Sequence, residues 1–91
     1  MILSEFQQLK TGDILITLGV ITRNEWENDK CFLVPAGTEV SVKNGEILYA
    51  EAVNDYYIIC YAPYKINKKW YIGEIAVNPA DVIKRPTKLS S

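Results

Sequence analysis

The apolar residues of this chain fall in short blocks of alternating or branched side chains. Each block is closed by glycine, proline, asparagine or aspartate, which is strand patterning. Asp13–Leu18, between Gly12 and Gly19, predicts a strand, and Val20–Thr22 is expected to continue it past a glycine bulge. Arg23–Lys30 is polar around a single tryptophan and predicts a surface loop. Cys31–Val34 is a short apolar run stopped by Pro35–Thr38, a turn carrying both proline and glycine. In Val40–Tyr49 the Asn44-Gly45 pair marks a type I′ hairpin, with Val42 opposite Ile47 and Val40 opposite Tyr49, all four facing the core. Tyr56–Ala62 and Trp70–Val77 are the two longest predicted strands, and Tyr64–Lys69 turns between them. Asn78–Asp81 predicts a turn or a single closing 3-10 turn before Val82 and Ile83. At the other end, Ser4 and Gln7 have capping-box spacing, so a short helical turn is expected with Ile2, Phe6 and Leu9 toward the core.

Five short strands with turn signals at spacings of about 8–12 residues predict an all-β fold, a small barrel or sandwich, of which a five-stranded antiparallel barrel is the expected form. Closure would remove the exposed edges that such apolar strands otherwise present. The 91 residues form one domain, with the barrel core at about residues 9–84 and a polar tail at 86–91. The order of features is the basis of a resemblance. Leu9–Asp13 leads into a strand, a long polar loop follows, and Val34–Val40 carries a Pro-Ala-Gly-Thr turn into a hairpin. A tyrosine-rich strand, a last strand and the Asn78–Ile83 turn complete it. This order resembles the Src-homology-3-like small barrels of bacterial and phage proteins, including their KOW-type relatives. The resemblance implies the barrel and the closing 3-10 turn. It does not carry over the proline-rich ligand of the eukaryotic signalling domain, whose peptide-binding signatures are not evident, and such barrels host many unrelated functions.

Charge narrows the function. Ten basic residues against eleven acidic ones leave a formal net charge of −1, so the chain is neither a polycation nor an acidic mimic of nucleic acid. Electrostatic recognition, where it occurs, is local. No apolar run approaches the roughly 20 residues of a membrane span. Met1–Glu5 lacks the basic start and apolar core of a signal peptide, so a cytoplasmic location is expected, with Cys31 and Cys60 as free, buried thiols as the first reading and a single bridge as the second.

The chain has no histidine, which removes the commonest general base and the commonest metal ligand. Cys31 and Cys60 lack zinc-site spacing, and the glycines are scattered singly rather than forming a phosphate loop. No catalytic residue, cofactor or metal is therefore expected. Glu25, Glu27 and Asp29 alternate along the polar loop, where a solvated surface is the first reading and a weak hard-cation site the second.

Charge and large aromatics coincide outside the strands in two places. Trp26 sits between Glu25 and Glu27, and Lys65, Lys68 and Lys69 lie among Tyr64, Trp70 and Tyr71, with Lys84 and Arg85 as possible neighbours. Tyrosine and tryptophan favour interfaces because an apolar body carries a polar handle. Each place has a bland alternative, a core cap for Trp26 and a solubilising turn for the lysines. The expected function is a non-enzymatic binding module whose partner is a protein. One concrete form is a small inhibitor or adaptor of a host complex, encoded by a phage or mobile element. A nucleic-acid-binding KOW-type barrel is the first alternative, since aromatics beside cations grip single strands. An accessory subunit of an enzyme is the second.

Overall fold

The computed structural model describes residues 1–25 and 30–86, with the main chain alone for 23–25, 30–32 and 66. A short helix α1 (Leu3–Phe6) is followed by β1 (Ile14–Thr17), β2 (Ile21–Glu25), β3 (Lys30–Val34), β4 (Glu39–Val42) and β5 (Leu48–Ala50). A 3-10 turn at Glu51–Val53 leads into β6 (Asp55–Ile66), β7 (Lys69–Val77) and β8 (Val82–Lys84). The main sheet runs β7-β6-β4-β1-β8, antiparallel throughout, with β5 attached to β6 beside β4. β2 and β3 form a separate two-stranded ribbon.

The fold is mostly β, and the main sheet curls into a half-barrel. Two expectations are corrected. The described residues form eight strands rather than five, and the barrel is not closed: β7 and β8, at the two ends of the sheet order, each pair with one neighbour. The extra strands come from segments whose pairing is not written locally. Arg23–Glu25 and Lys30, expected in a loop, lie in a ribbon in which Arg23 pairs with Phe32 and Glu25 with Lys30. β2 leaves the main sheet at Gly19 rather than continuing β1 past a bulge.

The core lies on the concave side of the sheet. It gathers Leu15, Val40, Val42, Ile58, Cys60, Ala62, Ile75, Val77 and Val82 from the sheet, with Val34 from the ribbon. Phe6 and Leu9 close it from the N-terminal segment, 0% and 4% exposed. Ile2, expected inward, is exposed. Ser4 does not cap α1 either. Ile2 holds the N-cap position without a side-chain hydrogen bond, so Ser4 falls inside the turn and the capping box does not form.

Thr17, the one buried polar residue described, organises the Pro35–Thr38 turn. Its Oγ1 donates to the Pro35 carbonyl at 2.8 Å and accepts from the Thr38 amide at 3.0 Å. Gly37 in that turn has φ of 80°, a conformation that favours glycine. The Asn44-Gly45 expectation fails. Neither residue has positive φ, and β4 and β5 do not pair with each other. Instead Asn44 Oδ1 accepts from the Glu46 amide, a local turn device. Val40 and Val42 are buried and Ile47 packs against the core, but Tyr49 points out and its ring meets Tyr56 at 5.0 Å. The closing segment is a hydrogen-bonded turn, with Asn78 Oδ1 accepting from the amides of Ala80 and Asp81. The 3-10 turn stands instead before β6.

Cys60 is fully buried, and loss of solvent pushes its thiol pKa up to about 12. The thiolate is the reactive form, so native protein at pH 8 should resist iodoacetamide at Cys60, and urea should make the site reactive. Peptide mass spectrometry of the two samples checks this. Labelling at equal rates would contradict the burial.

Candidate functional site: the distal arm of the β6–β7 hairpin

The β6–β7 ladder runs from Ile58↔Val77 to Ile66↔Lys69. Its core half ends at Ala62, paired with Gly73. From there the hairpin extends roughly 15 Å to its tip, at a rise of about 3.3 Å per residue.

The tip is a two-residue turn of Asn67 and Lys68, with φ of 50° and 67°. Positive φ at both central positions is the type I′ turn, whose twist matches the flanking strands. Asparagine suits this conformation and lysine does not. Lys68→Gly is therefore expected to raise stability by about 0.5–1 kcal/mol, the relief of left-handed strain less the added freedom of the unfolded chain. Urea denaturation would read the gain. A loss would mean that the Lys68 side chain holds the turn together.

Alternation sorts the arm into two faces. Tyr64 and Tyr71 continue the face of Ile58, Cys60, Ala62 and Ile75; their rings stack at 5.5 Å with planes 21° apart, and Tyr64 packs against the edge of the core. Trp70 and Ile72 lie on the opposite face, 65% and 75% exposed. Cations sit over rings on both faces. Lys65 Nζ is 5.6 Å from the Trp70 ring centroid, and Lys69 Nζ is 5.8 Å from that of Tyr71. Contacts of this kind are worth about 0.5–1 kcal/mol when exposed, and here they hold the lysines beside the aromatics. From Pro63 to Gly73 the chain carries three lysines and no acidic residue.

Pro63 lies inside β6, where a missing N–H would normally break the ladder. Lys43 N donates to Ile59 O, so the polar groups of odd-numbered β6 residues face the β4 side. The last β4 pair on that edge is Ser41↔Tyr61. Pro63 therefore presents its nitrogen to an edge with no ladder to lose.

The structure places Tyr64, Lys65, Lys68, Lys69 and Trp70 on one arm but divides them, with Tyr64 and Lys69 on one face, Lys65 and Trp70 on the other, and Lys68 in the turn. The acidic patch lies largely outside the described residues. Trp26 and Glu27 fall within 26–29, and of Glu25 only the main chain is described, ending β2. Lys84 and Arg85 do not join the arm. They pair with Asp13 at 4.0 Å and Glu39 at 3.5 Å across a groove beside β1 and β8, so that groove's cations are already matched by carboxylates. On the convex side Glu74 holds the Lys43 ammonium by a hydrogen bond, which raises the lysine pKa. Sequence reasoning missed Ile72 and Pro63. The signal for both was the strand parity, which follows once the turn is centred on Asn67 and Lys68.

Among the described residues no three histidine, cysteine, aspartate or glutamate side chains converge as a metal site would need. No described helix is long and apolar enough to cross a membrane. No family model matches the chain, and neither a curated protein nor a solved structure matches it.

Proposed function

We propose that this protein is a non-enzymatic binding module that engages another protein through the distal arm of the β6–β7 hairpin. One observation carries the reading. Trp70 and Ile72 stand out on an arm that adds three lysines and no carboxylate. Exposed aromatics ringed by polar residues are the usual composition of an interface anchor and its rim, and a single sign of charge beside them selects a partner surface of the opposite sign. The absence of histidine from the whole sequence supports a role without acid–base catalysis.

The Src-homology-3-like reading of the fold stands as part of this proposal. What supports it is the strand order β7-β6-β4-β1-β8, with the β2–β3 excursion between β1 and β4 and a tight turn before β8. A phage- or mobile-element-encoded inhibitor or adaptor of a host complex, acting in the cytoplasm, is the form we favour, on size and composition. A nucleic-acid-binding barrel draws on the same lysines and rings.

The test is a pair of captures from the native cell after nuclease treatment, with wild type and with Lys68→Glu combined with Lys69→Glu. Both lysines are exposed, so the double variant should keep its stability within about 0.5–1 kcal/mol. The expected result is a protein partner kept by wild type and lost by the variant. A partner retained equally by both would move the interface off the arm. Binding abolished by nuclease would favour the nucleic-acid reading.

A further inference from the structure

We propose that the outer edge of β7, at Trp70 and Ile72, receives an extended acidic segment of the partner protein as an added strand. This rests on the arm being the protein-binding surface and states how it would bind.

The directions of the backbone groups carry the argument. Ile59 faces β4, so Ala62, Tyr64 and Ile66 face β7, and their partners Gly73, Tyr71 and Lys69 face back toward β6. Antiparallel pairs alternate in this way, which turns the N–H and C=O groups of Trp70 and Ile72 outward. Among the described residues β7 pairs only with β6, and no backbone hydrogen bond reaches the outward groups of these two residues. Exposed edges of this kind are templates for another strand, and proteins commonly block them. Among the described residues only one of the arm's two edges is blocked. Pro63 guards the β6 edge, and the β7 edge has no proline from Lys69 to Val77.

Charge selects the occupant. An added strand lays its side chains alternately over the two faces of the arm. One face offers Trp70, Ile72 and Lys65, the other Tyr71 and Lys69, with Lys68 at the tip. A segment alternating acidic and apolar residues therefore finds a cation and an apolar contact whichever face each side chain takes. The edge presents donors and acceptors in alternation, which a peptide main chain matches. A phosphate backbone offers acceptors alone and leaves the outward carbonyls unpaired.

The experiment uses the full chain and three probes: a synthetic peptide alternating glutamate and valine, its twin with alternate backbone amides N-methylated, and oligothymidylate. Amide hydrogen exchange by NMR reads the site. The expected result is slowed exchange at Trp70 and Ile72 with the first peptide. The N-methylated twin should bind about tenfold more weakly or worse, because it keeps the charges and loses two or more backbone bonds. Ile72→Pro should abolish peptide binding, whereas Ile72→Thr, which keeps the N–H, should retain most of it. If Ile72→Pro unfolds, the comparison of the two peptides on wild type still decides. Equal affinity for the twin would overturn the proposal, as would protection away from β7 or tighter binding of oligothymidylate. Protection without peptide that grows with protein concentration would assign the edge to a second copy, and that also overturns it. A captured partner that needs Lys68 and Lys69 but tolerates Ile72→Pro would end this inference and leave the arm as the interface. A partner indifferent to both variants would end both.

Discussion

Phe6→Ala is expected to lower the unfolding free energy by about 3–5 kcal/mol, the usual cost of removing a buried phenylalanine. Phe6 is 0% exposed, yet it sits on a helix of only four residues. A helix that short does not form on its own, so what holds it is the ring it places in the core. The ring lies among side chains of the concave sheet face, and Leu9 follows it into the same cluster. Truncation would therefore leave a cavity and release the segment that covers it. A domain of this size commands about 5–15 kcal/mol, so the variant should unfold at markedly lower urea concentration. Leu3→Ala is the control: Leu3 lies on the same turn at 38% exposure and should cost less than about 1 kcal/mol. Circular dichroism in urea compares the two. Equal midpoints would mean that the N-terminal segment contributes no packing.

The pattern of alternation made the long strands legible. In Tyr56–Ala62 it separates buried Ile58 and Cys60 from Tyr61, which is 41% exposed, as the burial bears out. That a hairpin joins them was legible for the same reason, but the turn expected at Tyr64–Lys69 narrows to Asn67 and Lys68, with Tyr64–Ile66 paired in β6 and Lys69 in β7. The turn type was not legible there, because lysine is a poor left-handed residue and nothing local announces one. The free edge of β7 and the role of Pro63 depend on which residues face β4, a fact of long-range pairing. The same kind of pairing defeated the Asn44-Gly45 expectation. β4 is paired on one side with β1 through Leu15↔Val40 and on the other with β6 through Val42↔Cys60. With both edges taken it has none to offer β5, which attaches further along β6 at Tyr49↔Tyr56. A local turn preference yields where two flanking ladders oppose it.

Gly45→Ala is expected to cost about 1–3 kcal/mol, for a reason unrelated to turn type. In a type I′ turn glycine would be needed for positive φ, and Gly45 does not have it. Its need is space. A Cβ placed on Gly45 would lie 2.9 Å from the Leu9 carbonyl oxygen and 3.5 Å from Lys10 Cα, both main-chain atoms. Leu9 is 4% exposed and anchored in the core, and Lys10 N is tied to Asp13 Oδ2 at 2.9 Å. The neighbouring chain therefore has little room to retreat, and relief must come from moving the segment that links β4 to β5. Gly19→Ala supplies the contrast. It has open space around the new methyl and no positive φ, so it should be close to neutral. The two single variants, melted side by side, separate the effect of the contact from that of losing a glycine as such. A Gly45→Ala protein that melts with wild type would mean that the Leu9–Lys10 main chain does not press against Gly45. The packing of the N-terminal segment over the β4–β5 link would then have to be redrawn.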